Sequence, residues 1–142
     1  MHIRKFFCHS ASPRQPVTEF RTIQSEKKAK KWTVFRMLWY TSLSAPSGMF
    51  YGCSSLSDIK PLQNWNVSNG NNFSHMFSGC SSLLDIKALQ NWNVSNGNNF
   101  SNMFSYCSSL SDITPLQNWN VSNGNNFSNM FYNCSSLSDI KF

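Results

Sequence analysis

The sequence predicts a repeat solenoid of α/β class, with a short parallel strand and a short helix in each coil. Two repeated blocks and one spacing carry that expectation. The block Leu-Gln-Asn-Trp-Asn-Val-Ser-Asn-Gly-Asn-Asn-Phe-Ser stands unchanged at 62–74, 89–101 and 116–128. The block Met-Phe-x-x-Cys-Ser-Ser-Leu-x-Asp-Ile begins at Met49, Met76, Met103 and Met130. Every recurrence falls 27 residues after the last. Three full units (49–75, 76–102 and 103–129) are followed by a partial fourth ending at Phe142.

The first element in chain order is a leader, residues 1–48. It holds nine basic and two acidic residues, whereas residues 49–142 hold three Lys and four Asp. The net charge of +6 therefore describes a basic leader on a nearly neutral body. Residues 25–40 have the pattern of one amphipathic helix, expected to cap the first coil, because an open solenoid end exposes apolar side chains. A degenerate signal sequence and a basic, aromatic-interleaved nucleic-acid arm are competing readings.

Within a unit, Phe73, Met76, Phe77 and Cys80 stand at i, i+3, i+4 and i+7, which predicts one face of a helix. Asn71 or Asn72 is placed to cap its start. Gly52, Gly79 and Asn133 lie near its end, where a left-handed residue is useful, and Tyr106 fits that place less well. Leu56 to Pro61 reads as a short strand with Ile59 inward and Asp58 and Lys60 outward. Gln63 to Gly70 has the chemistry of loops, with Trp65 and Val67 as anchors to the core. A single unit cannot bury its apolar residues alone; stacking at about 4.8 Å buries them against their own copies.

At 142 residues the chain is too short for a large multi-domain enzyme. Its apolar runs fall far short of the ~18 residues of a membrane-spanning helix. With 12 Phe, 5 Trp and 4 Tyr it is too aromatic for a disordered tail.

Cys53, Cys80, Cys107 and Cys134 form one ladder. Zinc needs ligands that converge, and a ladder sets its thiols in a line, so the expectation is buried structural thiols and no metal. In-register rungs also hold Cβ atoms too far apart for a disulfide. Asp58, Asp85, Asp112 and Asp139 form a second ladder, with Lys60, Lys87 and Lys141 two residues on. This face, through Asp58, Lys60, Asp85, Lys87 and Asp112, is the candidate binding surface. Seven Asn-x-Ser sequons occur in an Asn- and Ser-rich repeat. No nucleophile dyad, phosphate loop or metalloprotease helix stands in the sequence, so neither catalysis nor a cofactor is expected.

The 27-residue period lies within the roughly 20–29 residues of leucine-rich repeats. Met-Phe-x-x-Cys-Ser-Ser-Leu-x-x-Ile followed by Trp-Asn-Val-Ser-Asn resembles the BspA-like leucine-rich-repeat surface proteins, including mycoplasma-type surface-protein repeats. The resemblance covers 49–142. It implies a cell-surface or extracellular location and an adhesion or protein-binding role. It assigns no binding residues. The function expected is non-enzymatic binding of a protein ligand; the alternative is a structural or non-functional fragment of a longer repeat array. Neither a specific nucleic acid nor a transmembrane segment is expected. Self-association is expected through the open C-terminal coil.

Overall fold

A computed structural model describes residues 46–138. The leader helix expected at 25–40, and Asp139 and Lys141 of the charged ladder, lie outside the described residues.

Successive 27-residue units lie one on another, and the stack is visible in its rings. Phe73 and Phe100 lie 5.3 Å apart at their centroids, 2° from parallel, and Phe100 and Phe127 lie 5.2 Å apart. A second column runs Phe50, Phe77, Phe104, Phe131 with separations of 5.3, 5.5 and 5.7 Å. Trp65 stacks on Trp92 at 6.4 Å. Aromatic pairs in this offset arrangement add to the apolar area they bury.

The secondary structure expected of each unit is absent. Among the described residues there is no strand, no sheet and no α-helix. The regular elements are short 3-10 turns: η1 (Lys60–Asn64), η2 (Lys87–Leu89) and η3 (Thr114–Leu116). Among these residues the only β pairing consists of isolated parallel bridges, Asn72 with Asn99 and Asn99 with Asn126. The α/β solenoid with a strand and a helix per coil is therefore wrong; the units are built of turns.

The backbone shows why the helix fails. Met76 N donates to Phe73 O, Ser78 N to His75 O and Cys80 N to Phe77 O, all three-residue turns. The alternate donors leave the unit: Phe73 N reaches Asn99 O, His75 N Ser101 O, Phe77 N Met103 O and Gly79 N Ser105 O, at 2.8 to 3.0 Å. An α-helix needs every N–H for the carbonyl four residues back, and here half of them bond to the next unit. His75 and Gly79 also have left-handed backbone, φ 56° and 78°, which no α-helix accommodates. The helix-like spacing still marks the core, since Phe73, Met76, Phe77 and Cys80 are all completely buried.

The strand fails for a related reason. Ile59 is buried and Asp58 and Lys60 are exposed, as an alternating segment would place them. However, Asp58 Oδ1 accepts the N–H of Lys60 at 2.9 Å, and Pro61 supplies no donor. A side chain that takes a backbone donor offers the chain a turn in place of a ladder. Asp85 and Lys87 repeat this at 2.7 Å, and Asp112 and Thr114 at 2.8 Å.

Candidate functional site

Two rows of side chains run along the stack at one position per unit. The first is the candidate charged face. Asp58, Lys60, Asp85, Lys87 and Asp112 are all exposed. They flank the start of the 3-10 turns rather than decorating a strand. Each aspartate has a local structural role, holding the N–H two residues on. Asp112 also accepts the Thr114 hydroxyl at 3.0 Å. The Thr114 backbone N–H and then its hydroxyl hold the Asp112 carboxyl below the usual aspartate value. Lys87 of the neighbouring unit adds a smaller lowering, so acid and base of successive units feel each other. Lys87 Nζ lies 4.0 Å from Asp85 Oδ2 in a wide-open pair; exposed pairs of this kind contribute little stability. The row is therefore one exposed aspartate per unit, followed two residues on by an exposed lysine at Lys60 and Lys87 and by Thr114 in the third unit.

The second row is the cysteine ladder. Cys80, Cys107 and Cys134 are buried free thiols. Each donates to the Phe carbonyl 30 residues earlier: Cys80 Sγ to Phe50 O and Cys107 Sγ to Phe77 O at 3.2 Å, Cys134 Sγ to Phe104 O at 3.1 Å. Burial pushes the Cys80 thiol from 9.0 up to about 12 and raises Cys107 and Cys134 as well. Such thiols are poor nucleophiles, because the reactive thiolate is suppressed. Cys53 differs: it is half-buried and is not a free thiol. Among the described residues no three His, Cys, Asp or Glu side chains gather as a metal-binding group.

The sequence reading missed two features. One is an exposed aromatic group beside the turn ladder: Tyr106 packs edge-on against Tyr132 at 5.5 Å, and Tyr51 against His75 at 5.9 Å. Tyr51, Tyr106 and Tyr132 are about half exposed. They break the strict repeat, so periodicity alone does not flag them. The other is the indole relay. Trp92 Nε1 donates to Leu62 O and Trp119 Nε1 to Leu89 O, both at 2.9 Å. Trp65 Nε1, one unit earlier, is buried with no acceptor among the described residues. The asparagines have a similar structural task. Asn72, Asn99 and Asn126 accept the N–H of the serine two residues on at 3.0, 3.0 and 3.1 Å. Asn96 Nδ2 reaches back to Ser68 O and Asn123 Nδ2 to Ser95 O. The Asn-Ser richness behind the sequons is thus turn and inter-unit chemistry.

No helix among the described residues is long and apolar enough to cross a membrane. No curated protein and no solved structure matches the chain. One family does, over residues 39–141, nearly the whole repeat region. It agrees with the mycoplasma-type part of the resemblance and gives no support to a BspA-like leucine-rich repeat in particular. The chain belongs to the family described as Mycoplasma protein of unknown function, DUF285.

Proposed function

We propose that the chain is a non-enzymatic protein-binding or adhesion module of a surface-located repeat protein. One observation carries this reading: an exposed aspartate recurs at the same place on successive units, Asp58, Asp85 and Asp112, followed two residues on by exposed Lys60 and Lys87 in the first two and by Thr114 in the third. A protein ligand laid along the stack would meet an aspartate at each step of about 5 Å, with a lysine beside it at the first two. The half-exposed tyrosines supply amphipathic rings of the kind enriched in binding surfaces. A surface location is the place where such a module has ligands, and the Mycoplasma family is compatible with it.

The row is short. Three stations span only ~10 Å, so one chain binds weakly and an array binds by avidity. The test displays several copies on a bead and measures capture of a panel of purified host-surface and matrix proteins. Asp85→Asn with Lys87→Gln should weaken capture several-fold and lessen its salt dependence. Undiminished capture would move binding away from this row.

A further inference from the structure

Residues 63–71, 90–98 and 117–125 are the same nine residues, Gln-Asn-Trp-Asn-Val-Ser-Asn-Gly-Asn, and none of them is charged. In the central copy Gln90, Asn91, Asn93, Asn96 and Asn98 are all exposed, although a described unit lies on either side. The equivalent residues of the two flanking copies are exposed as well. Trp92, Val94 and Gly97 between them are buried, so amides and the half-buried Ser95 make up this part of the surface. Among the apolar residues of the three copies only Val121 is exposed.

The copies lie side by side in register. Trp92 Nε1 donates to Leu62 O and Trp119 Nε1 to Leu89 O at 2.9 Å. Asn96 Nδ2 donates to Ser68 O and Asn123 Nδ2 to Ser95 O at 2.7 Å. Asn98 N reaches Asn71 O and Asn125 N reaches Asn98 O at 2.8 and 2.9 Å. Turns fix part of the face, since Asn66 Oδ1 and Asn93 Oδ1 each accept a serine hydroxyl at 2.7 Å. The side chains of Gln90, Asn91 and Asn98 make no hydrogen bond among the described residues, so their donors and acceptors are available.

We propose that this amide face binds a neutral polysaccharide laid along the stack. The chemistry of the face excludes the other polymers. Polyanions are held by lysines and arginines, and these segments have neither. Membrane interfaces take an apolar helix face. Protein interfaces centre on aromatic and arginine side chains, and here the tryptophans are buried. A sugar hydroxyl is donor and acceptor at once, and so is a carboxamide. Such bonds are exchanged against water and are individually weak. A single sugar should therefore bind poorly, and a polymer that meets the same amides at each step of about 5 Å should bind by repetition. The inter-unit bonds already hold the amide-bearing backbone in place, which lowers the ordering cost of binding. This inference goes beyond the protein-binding reading and uses none of the charged row.

The test measures retention of the full chain on beads coupled to a linear glucan, a mannan or a xylan, all uncharged, with uncoupled beads as the blank. At least one polymer should retain the chain, and high salt should not release it. Asn91→Ala with Asn98→Ala should lower retention several-fold. Gln90→Ala with Gln117→Ala replaces that pair if tryptophan fluorescence shows it unfolded. Asp85→Asn with Lys87→Gln should leave retention unchanged, which separates this face from the charged row. No retention above the blank on any of the three polymers overturns the proposal. So does retention that salt abolishes, or full retention of a folded amide variant.

Discussion

Gly97 has ordinary backbone, yet a Cβ there would fall on the Phe100 ring and stand 3.0 Å from Val94 O. Glycine is required for close approach, because Phe100 is fully buried and cannot move away. Gly97→Ala should cost about 1–3 kcal/mol, the usual cost of overpacking. Gly124 makes the same approach to Phe127, which is 41% exposed and free to yield; Gly124→Ala should cost less than about 1 kcal/mol. Chemical denaturation of the two variants measures the difference, and equal costs would mean that Phe127 is as confined as Phe100. The buried thiols give a pH dependence at the same scale. The folded chain holds the Cys80 proton to about pH 12, against 9.0 for the ordinary thiol. The stability this contributes is complete below about pH 9 and is lost as pH rises toward about 12, since the unfolded chain loses the proton first. Stability should fall across that window, and Cys80→Ala should flatten the fall. Cys80 and Cys107 should resist thiol labelling until denaturant is added.

At the scale of the element, the indole relay separates two otherwise equivalent residues. Trp92→Phe breaks the bond to Leu62 O and should cost about 1 kcal/mol beyond lost packing. Trp65→Phe removes a buried donor that has no acceptor among the described residues, so no such extra cost should appear. Denaturation midpoints of the pair decide it; an equal loss in both would mean that the Trp65 indole is bonded after all. The same scale shows what the sequence could reveal. The core was legible, because hydrophobic spacing reports burial: Ile59, Trp65, Val67, Phe73, Met76 and Phe77 are all buried. The left-handed position was legible too, with Gly52, Gly79 and Asn133 at φ 69°, 78° and 58°. Tyr106 adopts φ 59° there despite its Cβ. The elements were not legible. Spacing at i, i+3, i+4 and i+7 is satisfied equally by a helix and by linked turns, and what separates them is the destination of alternate N–H groups. That destination is 26 residues away, beyond any local pattern. The charged row was visible as a ladder, but the aspartates' task of holding turns was hidden, because acid followed two residues later by base also suits a strand face.

At the scale of the molecule, the absence of strands and α-helices among the described residues leaves the buried core, ring stacking and the inter-unit hydrogen bonds to hold the units together. Phe104 lies between Phe77 and Phe131 at 5.5 and 5.7 Å in the middle of its column. Phe104→Ala should therefore cost about 3–5 kcal/mol and loosen both neighbouring units, whereas truncating the 41% exposed Phe127 should cost far less. The central claim is that alternate N–H groups of the turn segment, such as those of Phe73, His75, Phe77 and Gly79, leave their unit for the next. Residue-resolved amide hydrogen exchange on the chain in dilute solution tests it most directly. The account predicts strong protection at Phe73, His75, Phe77 and Gly79 and again at Phe100, Asn102, Phe104 and Tyr106. It predicts rapid exchange at Phe127, Asn129, Phe131 and Asn133, the same positions with no unit beyond them among the described residues. Uniform protection through 73–80 and 127–134 alike, as a self-contained helix in each unit would give, would contradict it.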